Sequence, residues 1–308
     1  MIQLTTTEIM GGLGNQLFQI FNLLAYSLRY RTPFYFSQEP IKHGQRKQTY
    51  WHTSLLKSLK PFVKYPPNNN PTVLHEREFH YQPISFYEQD HMKLFGYFQS
   101  YKYFEDQQAN IYKLIKLEET QAAIKEKTNY TDYARTVAVH FRVGDYVQLP
   151  NHHPLMSLNY YTKALEQFIK DQAQAQAPSA EPWRILYFCE ENDQPYVETQ
   201  LIQPLQSDPL FRNHFTFQCI DHHLADWEQL IVMSLCQHHI IANSTFSWWG
   251  AYLANNHTTN QNEGVLSNPD WGVGARTHVY YPTTWFGPAI GYKNMTDLFP
   301  PHWHKISI

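Results

Sequence analysis

The stretch "HFRVGD", residues 140 to 145, sets an imidazole, a guanidinium and a carboxylate within six positions, at the end of the apolar run "TVAVHF". On an extended chain His140 and Arg142 point to the same side, because strand side chains alternate. The planar fork of Arg142 matches phosphate oxygens, and each charge-assisted hydrogen bond contributes roughly 1.5–3 kcal/mol. The same residues also suit a plainer role, an Arg142–Asp145 ion pair across a turn at Gly144. "GGLGNQ", residues 11 to 16, is a second such place. Gly12 and Gly14 let backbone approach a ligand, and the helix that follows favours an anion at its N-terminus. A dinucleotide fingerprint needs a third glycine where Leu17 stands, so that pattern is incomplete and a tight structural turn is the alternative. "IIANSTFSWWGAYL", residues 240 to 253, is the third. Ser244 and Thr245 fall at a helix start, where hydroxyls either cap the helix or join its N–H groups in holding an anion. Trp248 and Trp249 read as core.

Three strand ends with anion-compatible chemistry point to a diphosphate held in a cleft. No Asp-x-Asp pair is present to bridge it through Mg²⁺ or Mn²⁺, so Arg142 and the helix ends must carry the counter-charge, and no metal is expected. The histidine pairs at 152–153, 222–223 and 238–239 are adjacent rather than spaced i, i+4, and read as surface or turn residues.

The elements that must position these residues are legible as periodicities. "IQLTTTEIMGGLGNQLFQIFNLLAYSLRYRTPFYF" reads strand, glycine turn, helix, strand, with Leu17, Ile20, Phe21, Leu24 and Leu28 forming one apolar stripe. Residues 40–95 look irregular, and a helical stretch ends near 128. From 136 onward strands and helices alternate: "TVAVHF" strand, "LNYYTKALEQFIKD" helix, a low-complexity loop over 172–182, "RILYFC" strand, "QPYVETQLIQPL" helix, "HFTFQCI" strand, "DWEQLIVMSLCQHH" helix, "IIAN" strand. Such alternation predicts parallel, doubly wound sheets. The expected organisation is α/β with an N-terminal domain over 1–135 carrying the glycine loop and a C-terminal ligand-binding domain over 136–308.

At 308 residues with 43% hydrophobic and 17% charged residues the chain is globular, and its net charge of −3 offers no field for nucleic acid or membrane. No 18-residue apolar run and no secretion signal are present, so no membrane insertion and a cytoplasmic location are expected. Cys189, Cys219 and Cys236 are odd in number and widely spaced, which suits reduced thiols rather than a disulfide or zinc framework. Aromatic residues at 16% suit either sugar stacking or an aromatic core.

"MGGLGNQLFQ", "LFGYFQSYKYF", "VHFRVGDY", "MSLCQHHIIANSTFSWWGAYL" and "YYPTTWF", in that order from Met10 to Phe286, resemble the alpha-1,2-fucosyltransferases of glycosyltransferase family 11. The resemblance implies a GT-B-type fold of two Rossmann-like domains facing across a cleft. It implies metal-independent, inverting transfer of L-fucose from GDP-fucose, a co-substrate, to the 2-hydroxyl of a terminal β-galactoside such as lactose or a glycan end. It implies no further cofactor. By the same resemblance Arg142 binds the donor β-phosphate, His140 the nucleoside, and Asn15, with Gly12 and Gly14, lies near the phosphates and fucose. Ser244, Thr245 and Phe246 match the loop that closes on the diphosphate. Val143 stands where many relatives have a second Arg, which leaves Arg142 as the dominant phosphate ligand. The family's guanine-reading Asp corresponds to Gln229 here, and the role passes to Glu228, with Asp226 a further candidate. The plainer reading of both acids is a helix first turn, favoured by the dipole. Asp145 is the candidate base, with Glu190 and Glu191 as alternatives, and His153 is expected on the acceptor side. A glycosyltransferase for another nucleotide sugar would share the phosphate site without the purine contacts. A non-catalytic carbohydrate-binding protein would account for the aromatics but not for three anion sites.

Overall fold

The computed structural model describes residues 3–42, 47–175, 181–254 and 277–307. Two compact units are present, Met1–Ala123 with Lys293–Pro301, and Ile124–Tyr292 with His302–Ile308.

The first unit opens with β1 (Leu4–Thr7) and α1 (Leu13–Tyr30), followed by β2 (Phe36–Ser37), β3 (Val63–Lys64), β4 (Thr72–His75), β5 (His91–Phe95), α2 (Gln108–Ile115) and the start of α3 (Leu117–Lys127). The strand order is β1-β5-β4, all parallel, and a parallel bridge from Thr5 to Phe34 leads into β2, which pairs with β3. Helix α1 is buried from Leu13 to Ser27 except at Asn15, so the stripe of Leu17, Ile20, Phe21 and Leu24 is sunk in the core. Leu28 departs from that stripe: it is 37% exposed, one turn before the chain leaves the helix through Arg31 in the left-handed region (φ 54°). Strand β4 lies in the stretch expected to be irregular. It is an edge strand with mostly exposed side chains, so it lacks the apolar alternation that marks a strand half-buried on one face.

The second unit begins within α3, ahead of the 135/136 boundary expected from the sequence, and residues 293–301 return to the first. It contains β6 (Thr136–His140), α4 (Leu158–Ala175), β7 (Trp183–Phe188), α5 (Gln194–Val197), α6 (Gln203–Ser207), α7 (Pro209–His214), β8 (Phe215–Cys219), α8 (Asp226–Leu235), β9 (His238–Ile240), α9 (Thr245–Tyr252), β10 (Val279–Pro282) and β11 (His304–Ile306). A turn of π-helix, Glu198–Ile202, joins α5 to α6. The low-complexity loop begins later than expected, since α4 runs on to Ala175; residues 176–180 of it lie outside the described residues.

All six strands of this unit are parallel, in the order β8-β7-β6-β9-β10-β11. Counted from β6, that is the 3-2-1-4-5-6 order of a doubly wound dinucleotide-binding sheet. The helical faces account for it. Tyr160, Tyr161, Ala164, Leu165 and Phe168 of α4 pack with Val137 and Val139 of β6 in one apolar cluster. Burying each such large side chain contributes about 1.5–3 kcal/mol.

Strand β9 corrects two expectations. It spans His238–Ile240 rather than 240–243, and His238 and His239 are buried, at 1% and 0% exposure, not on the surface or in a turn. A central strand flanked by β6 and β10 has both faces covered, so even imidazoles are enclosed. The His238 ring meets Phe168 at 5.1 Å and Trp183 at 5.0 Å, and burial holds it neutral, far below its ordinary value.

Candidate active site

In an open parallel sheet the crevice beyond the carboxyl ends of the strands opens where the strand order reverses. In the second unit that point lies between β6 and β9. The His140–Asp145 motif leaves β6 there, and the Asn243–Phe246 segment leaves β9 there, so two of the three motifs meet at one place.

His140 is the last residue of β6 and is 7% exposed. Its Nδ1 lies 2.9 Å from the Ser247 hydroxyl, its carbonyl accepts from the Tyr161 hydroxyl at 3.0 Å, and its ring is 5.5 Å from Phe246. Burial, reinforced by the Arg142 charge, pushes the imidazole down to about 3, so it is neutral at physiological pH.

Arg142 follows with its side chain 15% exposed. Its two terminal nitrogens pair with Asp145 Oδ1 and Glu190 Oε1, and its guanidinium lies 5.1 Å from the centre of the Tyr146 ring. The ion pair expected as its plainer role is therefore present, and it extends to Glu190 at the exit of β7. Both acids are more than half exposed while the cation is not, so the buried charge faces outward through its partners. Val143 turns into the core, at 6% exposure, and leaves Arg142 as the cation of this turn. Gly144 has φ +32°, and its N–H donates to Asp193 Oδ2 at 2.7 Å. An added Cβ there would sit 3.3 Å from Glu190 Oε2. Glycine is thus favoured by its backbone angle, since the half-exposed tip of Glu190 needs to give only a few tenths of an ångström.

Tyr146 extends the site. Its hydroxyl donates to the Asn243 carbonyl at 3.1 Å, and its ring stacks on His153 at 4.8 Å and 19°. His153 in turn meets Phe286 at 6.0 Å. Asn243 donates to the carbonyls of Pro154 (3.0 Å) and Trp285 (3.2 Å), while its buried Oδ1 has no hydrogen-bond donor among the described residues. Ser244 caps α9, its hydroxyl accepting from the Phe246 N–H at 3.3 Å. Thr245 and Phe246 are half-exposed at the same helix end, and Trp248 and Trp249 are fully buried, as their sequence context implied.

Glu228 is placed differently. It is the third residue of α8, 7% exposed; Oε2 accepts from the Ala225 N–H at 2.9 Å and Oε1 pairs with Lys127 at 2.5 Å. Oε2 thus serves the helix start, the plainer of its two expected roles, while Oε1 is taken by Lys127 at the end of α3. Asp226 and Gln229 flank it, half-exposed.

Gly12, Gly14 and Asn15 lie in the first unit. Gly12 is the extended N-cap of α1 and Gly14 is buried in its first turn. The strained position is neither of these but Gly11, at φ +77°, where a Cβ would meet Asn15 Nδ2 at 2.6 Å. Asn15 Oδ1 accepts from Gln99 at 3.0 Å. Two buried glutamines hold the loop: Gln16 donates to the Gly11 and Gln48 carbonyls, and Gln19 closes a two-way pair with the Met10 backbone. A cavity of about 450 Å³ also opens in this unit beyond β1, lined in part by Tyr35, Trp51, Tyr65, Glu8 and Lys93.

Sequence reasoning missed Gly11, Gln16, Gln19, Asp193 and Ser247. The doubled glycine of "GGLGNQ" was the signal for the first. A polar residue on the buried face of an apolar helix was the signal for the glutamines. Asp193 and Ser247 had none, because their contacts, with Gly144 and His140, join segments far apart along the chain.

With this geometry in view, comparison with known proteins adds a class. Residues 196–282 match the family described as glycosyl transferase family 11, the family whose motifs the sequence resembles. The O-antigen biosynthesis glycosyltransferase WbnK of Escherichia coli is 27% identical over 59% of this chain and 55% of its own length, so the match spans about half of that relative. An alpha-1,2-colitosyltransferase of Escherichia coli is 21% identical over 99% of both chains. Solved structures with a similar chain path include the ADP-heptose heptosyltransferase II of Escherichia coli (TM-score 0.45, 10% identity, 100% of this chain and 90% of that one) and the fucosyltransferase NodZ of Bradyrhizobium (TM-score 0.43, 12% identity, 83% and 94%). The chain is thus similar to the family 11 glycosyltransferases, with the family match itself confined to residues 196–282. No helix among the described residues is long and apolar enough to cross a membrane.

Proposed function

We propose that the protein is an inverting, metal-independent glycosyltransferase that moves L-fucose from GDP-fucose to the 2-hydroxyl of a terminal β-galactoside. One observation carries the reading: a nine-tenths-buried neutral His140, the Arg142 guanidinium and the N-terminus of α9 converge at the switch point of a six-stranded parallel sheet. That is where a nucleoside diphosphate fits. Two α/β units are also what a GT-B arrangement requires.

In the proposed reaction the donor diphosphate takes Arg142 from Asp145 and Glu190, and the α9 N-terminus with Ser244 and Thr245 receives further phosphate oxygens. Neutral His140 and the Phe246 ring meet the nucleoside. Guanine recognition by Glu228 would require it to give up Lys127. The acceptor hydroxyl attacks C1 of fucose, its oxygen forms the new bond, and the C1–O bond to the β-phosphate breaks with its electron pair left on the phosphate oxygen. Asp145, released by the diphosphate, takes the hydroxyl proton. Preorganised donors at the leaving oxygen supply most of the stabilisation. The Tyr146–His153–Phe286 row offers aromatic faces to the acceptor.

Arg142→Ala tests the phosphate site. GDP should no longer raise the Tm, and turnover should fall by about 10²-fold or more. A variant that binds GDP and turns over like the parent removes Arg142 from the site. A second reading follows from the full-length similarity to a colitosyltransferase: the same site would carry a colitosyl donor. Parallel assays with the two donors separate the readings.

A further inference from the structure

The fold brings together three side chains that the sequence separates. Cys189 follows β7, Cys219 closes β8, and His222 sits three residues on, in the turn leading to α8. Their ligand atoms all lie within 4.8 Å of one another, and Cys219 Sγ is 3.5 Å from His222 Nε2. We propose that Cys189, Cys219 and His222 form a binding site for a thiophilic d¹⁰ cation, with Zn²⁺ as its ion, separate from the diphosphate site. Wide sequence spacing argued against a zinc framework, but parallel pairing of β7 with β8, Tyr187 opposite Cys219, overrides it by bringing the strand exits together.

The geometry suits such an ion. Zn–S and Zn–N bonds near 2.3 and 2.0–2.1 Å in a tetrahedron put neighbouring ligand atoms about 3.5–3.8 Å apart, the spacing that Cys219 and His222 already have. The arms are anchored. Ile220 N–H donates to the Tyr187 carbonyl at 2.9 Å, Asp221 N–H to the Tyr130 hydroxyl at 2.7 Å, and His223 N–H to Asp221 Oδ1 at 2.9 Å. Cys189 is buried at 5% exposure, whereas Cys219 and His222 are half-exposed, which leaves an approach for the ion and a fourth position for water. Two thiols and an imidazole select Zn²⁺ or Cu⁺ over Mg²⁺. Bound metal would also steady the exit of β7, where Glu190 pairs with Arg142.

The test uses the reduced, metal-free full chain titrated with Co²⁺. One equivalent should produce a thiolate-to-cobalt band with the intense visible absorption of tetrahedral Co²⁺, and Zn²⁺ should abolish it. Cys219→Ser should lose the band and His222→Ala should weaken binding about tenfold or more, while Cys236→Ser, changed on a different element, should keep it. No thiolate band in the parent, or a band undiminished in Cys219→Ser, overturns the site. A second measurement needs no variant: one equivalent of Zn²⁺ should slow alkylation of Cys219, and a chelator should restore it. An unchanged alkylation rate overturns the proposal equally. Neither readout depends on glycosyl transfer.

Discussion

Arg142 ties two acids to one cation, and what each acid does after the cation is taken is the sharpest question at the level of single residues. Asp145 belongs to the same turn as Arg142, three residues on, while Glu190 reaches in from β7. If Asp145 is the base, Asp145→Asn should lower kcat by about 10²–10⁴-fold and leave GDP affinity near the parent's. Calorimetric GDP binding beside steady-state turnover checks this. Full turnover removes the base role, and a parallel loss of GDP affinity reassigns Asp145 to orienting Arg142. The sequence showed His140, Arg142 and Asp145 as one motif because they are neighbours along the chain. It did not show Glu190 or Asp193 as their partners with equal clarity. Those contacts depend on the β6–β7 register, in which His140 pairs with Phe188 and places the β7 exit alongside.

At the level of elements, α8 and α9 pack closely because Gly250 has no side chain. A Cβ on it would meet Met233 Sδ at 2.2 Å, Cγ at 2.6 Å and Cβ at 3.1 Å. The methionine tip can move, but its Cβ cannot without the helix. Gly250→Ala should therefore cost about 1–3 kcal/mol by overpacking, read as a lower denaturant midpoint at unchanged slope. An unshifted midpoint would show that Met233 repacks freely. Elements with strong periodicity were legible in the sequence: α1, α4, β6, β7 and β8 stand close to where alternation and helical spacing put them. Edge strand β4 was not, since its side chains are mostly exposed, and β9 was misplaced, since two histidines disguise a buried strand. The aromatic excess went largely to cores, as with Trp248 stacked on Tyr252 at 4.7 Å.

For the whole molecule, the consequence lies in pH. His140 is buried with its value near 3, against an ordinary 6.5, and burial likewise pushes His238 well below its ordinary value. As pH falls below about 6.5 the unfolded chain takes up these protons and the folded chain does not. Stability is therefore complete above that value and is lost progressively as pH drops toward 3. One such group changes the unfolding free energy by about 1.4 kcal/mol per pH unit inside that window. Urea midpoints at pH 7 and 5 should separate in the parent and separate less in His140→Gln; equal separations would show that His140 is protonated in the folded protein. The doubly wound character of the second unit was legible because strand and helix periods alternate there. The return of residues 293–301 to the first unit was not, because no local pattern announces which core a terminal segment joins.

Incubation of the protein with GDP-fucose and lactose, without added metal, decides whether it transfers fucose from GDP-fucose to a galactose 2-hydroxyl, as proposed. The expected product is a fucosyl trisaccharide whose linkage analysis shows fucose in alpha configuration on the galactose 2-hydroxyl, with one GDP released per product. Transfer to a different hydroxyl, or no transfer from GDP-fucose alongside turnover of another nucleotide sugar, would contradict it.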